Sequence, residues 1–202
     1  SGVGSLSEGI TAGIEKDARR LLGGDVALRL LHRPATESQK AFLSSRALIS
    51  EVVEMRAMAR ANVDVKGGTP RALVELKAVD GLYPLVGSVR LVDGRALKGS
   101  LAKRGDSWGA VAEKNLLTKL GVKTGDRLRV GEASFVITGI IVREPDRVAT
   151  VLGFGPRLMV SSQSLAATEL VQPGSQIRYR YRAVLSKSEA PQNWIEQVKV
   201  KF

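Results

Sequence analysis

The chain contains no cysteine and only one histidine, His32, among its 202 residues. Lack of cysteine removes disulfides, thiol catalysis and cysteine-ligated metal, and is compatible with an oxidising or a reducing compartment. A lone histidine is too few for a multi-histidine metal site. Set between Leu31 and Arg33 in a strand-like run, it reads as a structural or surface residue. No apolar stretch reaches the roughly 18–20 residues needed to cross a bilayer. Also missing are Gly-x-Gly-x-x-Gly, the phosphate loop Gly-x-x-x-x-Gly-Lys-[Ser/Thr], and His-Glu-x-x-His. Gly153-Phe154-Gly155-Pro156 is an isolated glycine pair, with proline where a phosphate-binding helix would have to open. No catalytic, cofactor-binding or metal-binding residue is therefore assigned, and no cofactor. The chain opens Ser1-Gly2-Val3-Gly4, with neither an initiator Met nor a signal segment, and is expected to be an excised part of a longer protein.

What is present is an ordinary globular composition, 44% hydrophobic and 25% charged, on a chain long enough to bury a sizeable core. The 31 Lys and Arg against 20 Asp and Glu give +11. Such a charge attracts phosphates, in nucleic acid or in anionic lipid head groups, without choosing between them.

Leu6, Ile10, Ile14, Ala18, Leu21 and Leu22 fall at helical spacing among charged residues, so an amphipathic helix is expected over 6–22, stopped by Gly23-Gly24. A strand over 25–33 ends at Pro34. Thr36-Glu37-Ser38-Gln39 has the spacing of a capping box, which predicts a helix running to about Ser50. Val53, Met55, Ala57 and Ala59 alternate with Glu54, Arg56, Met58 and Arg60 as in a half-buried strand. Ala72, Val74, Leu76 and Ala78 do the same after a Gly67-Gly68-Thr69-Pro70 turn. That strand stops at Val79-Asp80, because Pro84 cannot donate to a ladder and pushes Tyr83 toward an extended backbone.

Beyond residue 84 the texture changes to short strands, including 127–130 and 133–143, separated by Gly-Asp turns. Helices are predicted over Ala110 to Leu120, ending at Gly121, and over Ser164 to Leu170. Alternation returns from Ser175, and a last helix starts near Glu189 and includes Trp194. The fold class is α+β, with a β-rich insertion at about 84–173 inside an α+β frame.

Three constellations have chemical readings. Ser100-Leu101-Ala102-Lys103 and Lys123-Thr124-Gly125 match motifs of serine penicillin-binding proteins. They lie only about twenty residues apart, with no Ser-Asp-Asn between them. The second is better read as the turn before strand 127–130. Glu51 and Glu54, near Arg56, read as a surface ion pair rather than an acid/base pair. Arg178, Arg180 and Arg182 share one side of a strand, opposite Ile177, Tyr179 and Tyr181. They read either as a solvated sheet face or as a track for phosphates. Aromatics on the opposite face disfavour stacking on bases.

Several motifs, in order, resemble the large extracytoplasmic domain of MacB-like (FtsX-type) ABC-transporter permeases, especially the YbbP-like ones. They are Val74-Glu75-Leu76-Lys77-Ala78-Val79-Asp80, Tyr83-Pro84-Leu85-Val86-Gly87, Leu120-Gly121-Val122-Lys123-Thr124-Gly125-Asp126 and Glu144-Pro145-Asp146-Arg147. Gly155-Pro156-Arg157, Thr168-Glu169-Leu170 and Gln172-Pro173-Gly174-Ser175 continue the series. The resemblance implies a porter-like α/β-sandwich subdomain interrupted by a β-rich sabre-like one. It divides the chain into a membrane-proximal stalk helix over 1–24, a porter-like part over 25–83 and 174–202 whose last strand is cut off, and a sabre-like insertion over 84–173. It further implies a non-catalytic, periplasmic domain of an inner-membrane permease. Such a domain couples ATP hydrolysis by a separate cytoplasmic subunit to conformational work or to export of a hydrophobic, lipid-like substrate. The implied partners are the membrane-spanning remainder, that ATP-binding subunit and a periplasmic protein, with no nucleic acid. The alternative is a basic module that binds nucleic acid or anionic lipid.

Overall fold

A computed structural model describes residues 10–12, 26–62, 66–147, 155–186 and 188–201. The strands are β1 (Ile10–Ala12), β2 (Val26–Leu31), β3 (Ala47–Ala61), β4 (Arg71–Val79), β5 (Arg90–Leu91), β6 (Lys103–Arg104), β7 (Ser107–Glu113), β8 (Arg127–Val130), β9 (Ala133–Arg143), β10 (Arg157–Ser161) and β11 (Arg178–Leu185). The helices are α1 (Glu37–Ser44), α2 (Leu97–Ser100), α3 (Lys114–Leu120), α4 (Ser162–Thr168) and α5 (Pro191–Lys201). The fold is α+β.

β3 is the organising element. Its N-terminal half pairs with β11, Ala47 opposite Leu185 through Glu54 opposite Arg178, and β11 carries β2 and then β1 beyond it. Along its other edge β3 pairs with β4 from Val52 opposite Val79 to Arg60 opposite Arg71. β10 lies parallel to β4, then come β7 and β9, and β9 pairs with β8. β8 returns to the end of β3, Ala59 opposite Val130. The ladder β3-β4-β10-β7-β9-β8 thus closes on itself as a six-stranded barrel, with β11, β2 and β1 as an open wing. Closure leaves these six strands no free edge along the seam.

Alternation decides which residues fill the barrel. Ala57, Ala59, Val74, Leu76, Ala110, Ala112, Leu128, Val130, Phe135, Ile137, Leu158 and Val160 point inward and are buried. The same core continues under the wing through Leu28, Tyr179 and Tyr181. It takes Leu43 of α1, Leu116 and Leu120 of α3, Leu165 of α4 and Trp194 of α5. A second, smaller core on the opposite face joins Val52, Val79, Leu91, Leu101, Val111 and Met159.

Most predicted strands appear where the alternation puts them, and β4, β8 and β9 end where expected. The capping box forms: Thr36 Oγ1 accepts from Gln39 N, and Gln39 Oε1 accepts from Thr36 N. That helix ends at Ser44 rather than Ser50, because Ala47–Ser50 is drawn into the ladder with β11. The helix expected from Ala110 begins only at Lys114, since Ala110–Glu113 is buried strand between β10 and β9. Gly121, at φ 65°, caps it in the left-handed region as its position after Leu120 required. Of the amphipathic helix expected over 6–22, only Ile10–Ala12 lies among the described residues, and there the backbone is strand paired with β2. The rest of that helix and its Gly23-Gly24 stop lie outside them.

Candidate functional site

The outer face of the β3–β4 pair changes character row by row. Val52 faces Val79 in the small core, Glu54 faces Lys77, Arg56 faces Glu75, Met58 faces Leu73, and Arg60 faces Arg71. Lys77 is the unusual residue, a lysine mid-strand with its side chain only 1% exposed. Burying an ammonium is tolerated only when it is paired and hydrogen-bonded. Here its three donors meet three acceptors: Glu144 Oε1 at 2.6 Å, Asp146 Oδ2 at 2.8 Å and Tyr83 Oη at 3.0 Å. The ammonium also lies 4.6 Å from the centroid of the Tyr83 ring.

Each acceptor is held in turn. The Tyr83 hydroxyl donates to Asp146 Oδ1 at 2.6 Å, and Arg182 Nη1 of β11 lies 3.2 Å from Asp146 Oδ2. Arg157 Nε of β10 donates to Glu144 Oε2 at 3.0 Å. The Arg157 amide donates to Glu113 Oε1 at 2.9 Å, and Glu113 also pairs with Arg147. On the wing side, Glu54 takes Arg178 and Arg180 at 3.7 and 3.5 Å, and Arg178 also reaches Glu75 at 3.3 Å. Three nearly buried cations (Lys77, Arg157, Arg182) thus balance three nearly buried carboxylates (Glu54, Glu144, Asp146).

The local backbone explains how two loops reach this cluster. Asp80, just past the end of β4, accepts from the amides of Leu82 and Tyr83 at 3.1 Å each, a turn that swings Tyr83 back over the strand. Its other oxygen takes the Glu51 amide at 2.7 Å. The Tyr83-Pro84 bond is cis. Gly87, at φ 77°, lies against Pro145, where a Cβ would sit 2.9 Å from the proline Cβ. The Tyr-Pro-Leu-x-Gly turn and the Glu-Pro-Asp-Arg loop, 60 positions apart at Pro84 and Glu144, are therefore packed against each other.

Burial would raise the Asp146 carboxyl, but Lys77 and Arg182 outweigh it and hold the group down at about 2. Glu54 is likewise held below the usual carboxylate range: against its burial act the charges of Arg180, Lys77, Arg157 and Arg178. Burial first, then Asp146 and Glu144, push the Tyr83 phenol well above its ordinary value, so it stays a donor. The charged groups named here each have a counter-charge among the described residues. The arrangement holds backbone segments together.

Several residues singled out in the sequence have other places. Ser100 Oγ donates to Ala96 O at 3.0 Å within its own helix, and Lys103 Nζ lies over the Trp108 ring at 5.3 Å. Lys123 to Asp126 form the expected turn, Asp126 Oδ2 accepting the Lys123 amide at 2.9 Å. Gly153 and Phe154 lie outside the described residues. His32 is exposed, with Nδ1 3.4 Å from Ser175 O. Glu51, Glu54 and Arg56, expected to pair at the surface, have these partners in the structure. Arg56 turns to Glu75, Glu54 is buried under Arg178 and Arg180, and Glu51 accepts from the Tyr181 hydroxyl. The arginine stripe is on one face, as expected, with Arg182 buried, Arg178 and Arg180 half-buried, and all three covering carboxylates. Among the described residues no group of His, Asp and Glu has the makings of a metal site. A groove of about 540 Å³ lies beside the stripe, lined by Leu31, His32, Met55, Arg56, Gln176 and Arg178 among others.

The cluster was not legible as a cluster. Its signal was indirect, two proline-bearing turns and a lysine on the face of β4 opposite its inward-reading apolar residues.

The sequence matches the family model described as the MacB-like periplasmic core domain over residues 1–199. A curated relative, the uncharacterized ABC transporter permease YbbP of Escherichia coli K12, is 29% identical over 180 residues. That match covers 89% of this chain and 21% of YbbP, so the chain spans about a fifth of the relative's length. Among solved structures, the periplasmic region of MacB from Actinobacillus actinomycetemcomitans is similar at TM-score 0.51 and 12% identity, covering 92% of this chain and 85% of that one. The extracellular domain of the noncanonic ABC-type transporter YknZ from Gram-positive bacteria is similar at TM-score 0.50 and 14% identity, covering 81% and 78%. These two likenesses speak for the fold.

Proposed function

Because this chain belongs to the MacB-like periplasmic core domain family, we propose that it is a non-catalytic, extracytoplasmic domain of an ABC transporter permease that transmits conformational work. The observation that carries this reading is the buried cluster. Lys77, Glu144, Asp146, Arg157 and Arg182 join β4, the loop after β9, β10 and β11 into one rigid node, with no reactive group left over. A rigid node suits a part that passes on force through discrete rigid-body shifts.

In this reading the chain divides into a frame over 25–83 and 174–202 and an insertion over 84–173. The node stands at the first crossing between them, Asp80–Gly87, and ties Glu144, Asp146 and Arg157 of the insertion to Lys77 and Arg182 of the frame. Movement would arrive through the wing strands β1, β2 and β11, of which β1 lies beside α5, and leave through the barrel. A separate cytoplasmic subunit would hydrolyse ATP, and the cargo would be hydrophobic or lipid-like. The nucleic-acid and lipid reading of the arginine stripe loses its main support, since Arg178, Arg180 and Arg182 are occupied by Glu54, Glu75 and Asp146.

These 202 residues carry no cysteine, so a thiol placed among them reports the topology when compared with the intact permease lacking that substitution. A Lys123→Cys or Lys98→Cys variant of the intact permease should react with a membrane-impermeant maleimide in cells whose cytoplasmic membrane is intact. Labelling only after that membrane is lysed would overturn the assignment.

A further inference from the structure

Directly opposite residues on paired strands stabilise a sheet when their charges are opposite and destabilise it when they are alike. The outer face of β3 and β4 obeys this at Glu54/Lys77 and at Arg56/Glu75, then breaks it at Arg60/Arg71. β8 extends the breach, because Arg129 stands opposite Arg60 on its other side. Three exposed arginines thus lie abreast across three strands of the barrel wall. Arg129 has a loose partner in Glu132 at 3.4 Å, while no carboxylate pairs with Arg60 or Arg71 among the described residues. Of the other directly opposite arginine pairs, Arg29/Arg180 is relieved by Glu54 beneath Arg180, and Arg90/Arg143 stands on the two-residue strand β5 outside the barrel ring. The row at Arg60 has no such relief. The adjoining row is Met58 and Leu73, 44% and 43% exposed, large apolar side chains standing side by side on an otherwise polar wall.

From this we propose that the barrel wall at Arg60, Arg71 and Arg129, with Met58 and Leu73, is a docking surface for an acidic segment of a protein partner. The match is chemical. One apolar side chain covers the Met58–Leu73 row, and carboxylates about 7 Å further along, two residues of strand rise, engage the arginines. A protein is favoured over a membrane surface by position, an argument that rests on the permease reading. β1 and α5 stand at the level of the first half of β3, and Arg60 lies nine positions beyond Glu51, about 30 Å away. A bilayer meeting the wing end would be several Debye lengths from the row at physiological salt.

The test uses the isolated chain and a fluorescein-labelled peptide of leucines flanked by glutamates, followed by anisotropy. The expected result is saturable binding that weakens as salt rises, with no binding of the same peptide carrying lysines for glutamates. Arg60→Glu and Arg71→Glu should each weaken binding by about tenfold or more, while Lys119→Glu on α3 leaves it unchanged. Arg71→Glu replaces a like-charged pair with an opposite one, so its melting temperature should equal or exceed that of the unaltered chain. Arg60→Gln serves if a reversal fails to fold, and should weaken binding severalfold. Binding that survives these changes, or that Lys119→Glu reduces as much, overturns the proposal. So does Arg60-dependent binding of phosphatidylglycerol vesicles or an oligonucleotide without peptide binding. The peptide result stands independently of the maleimide result, so the two readings fail separately.

Discussion

Lys77 shows how one residue can turn the cost of burial into specificity. A charged pair replaced by well-packed apolar groups is often neutral for stability, but a pair broken on one side is costly. Lys77→Met leaves Glu144 and Asp146 facing each other without their shared cation, and should destabilise the chain by about 3–5 kcal/mol at neutral pH in denaturant titration. The pH dependence follows from the depressed carboxyls. Asp146 sits at about 2 against an ordinary 3.8, so its contribution is fully present above pH about 4 and is lost as pH falls toward 2. Glu54 acts in the same direction. Unaltered chain should therefore lose on the order of 2 kcal/mol between pH 4 and 2, and the gap to Lys77→Met should narrow over that window. A gap that stays constant would mean that the cluster does not titrate as a unit.

At the scale of elements, close approach of backbones sets the constraints that side-chain patterns do not show. Gly131 turns β8 into β9 at φ 54°, and a Cβ there would lie 2.1 Å from Thr168 O at the end of α4. The Glu132 amide donates to the same carbonyl at 3.0 Å, so turn and helix end are locked together. Gly131→Ala meets both a disfavoured backbone region and a backbone clash. It should cost more than the roughly 1 kcal/mol of an ordinary left-handed glycine replacement, read as a lowered thermal midpoint. Gly94→Ala, at φ 74° with open space around its Cβ, is the matched control and should show only the backbone part.

At the scale of the whole molecule, ring closure should make the barrel the most stable unit. β4, β7 and β9 each have neighbours on both sides, whereas β1 has its one described partner in β2. Native-state hydrogen exchange should find the slowest amides in Val74–Ala78, Ala110–Ala112 and Phe135–Ile137, and faster exchange in β2. Uniform protection across wing and barrel would mean that the two unfold together, and that the wing does not move against the barrel as a lever.

The sequence by itself determined the local alphabet of this protein. Period-two alternation set β4 and the second half of β3, Gly-Asp turns set off β8 and β9, the capping box set the start of α1, and Gly121 set the end of α3, because these depend on a residue and its near neighbours. Only tertiary structure decided where such signals were overruled. Ala47–Ser50 became strand because the ladder with β11 offered more than a further helical turn, and Ala110–Glu113 because it lies between β10 and β9. The node was beyond reach for the same kind of reason. Lys77, Tyr83, Glu144, Asp146, Arg157 and Arg182 are scattered over a hundred residues, and alternation says which face each takes but not which strand will lie beside it. Strand order is a long-range choice, made by the closure of the barrel. Pairing of β11 with β3 laid the arginine stripe over buried carboxylates, and closure of the barrel set Arg60, Arg71 and Arg129 abreast.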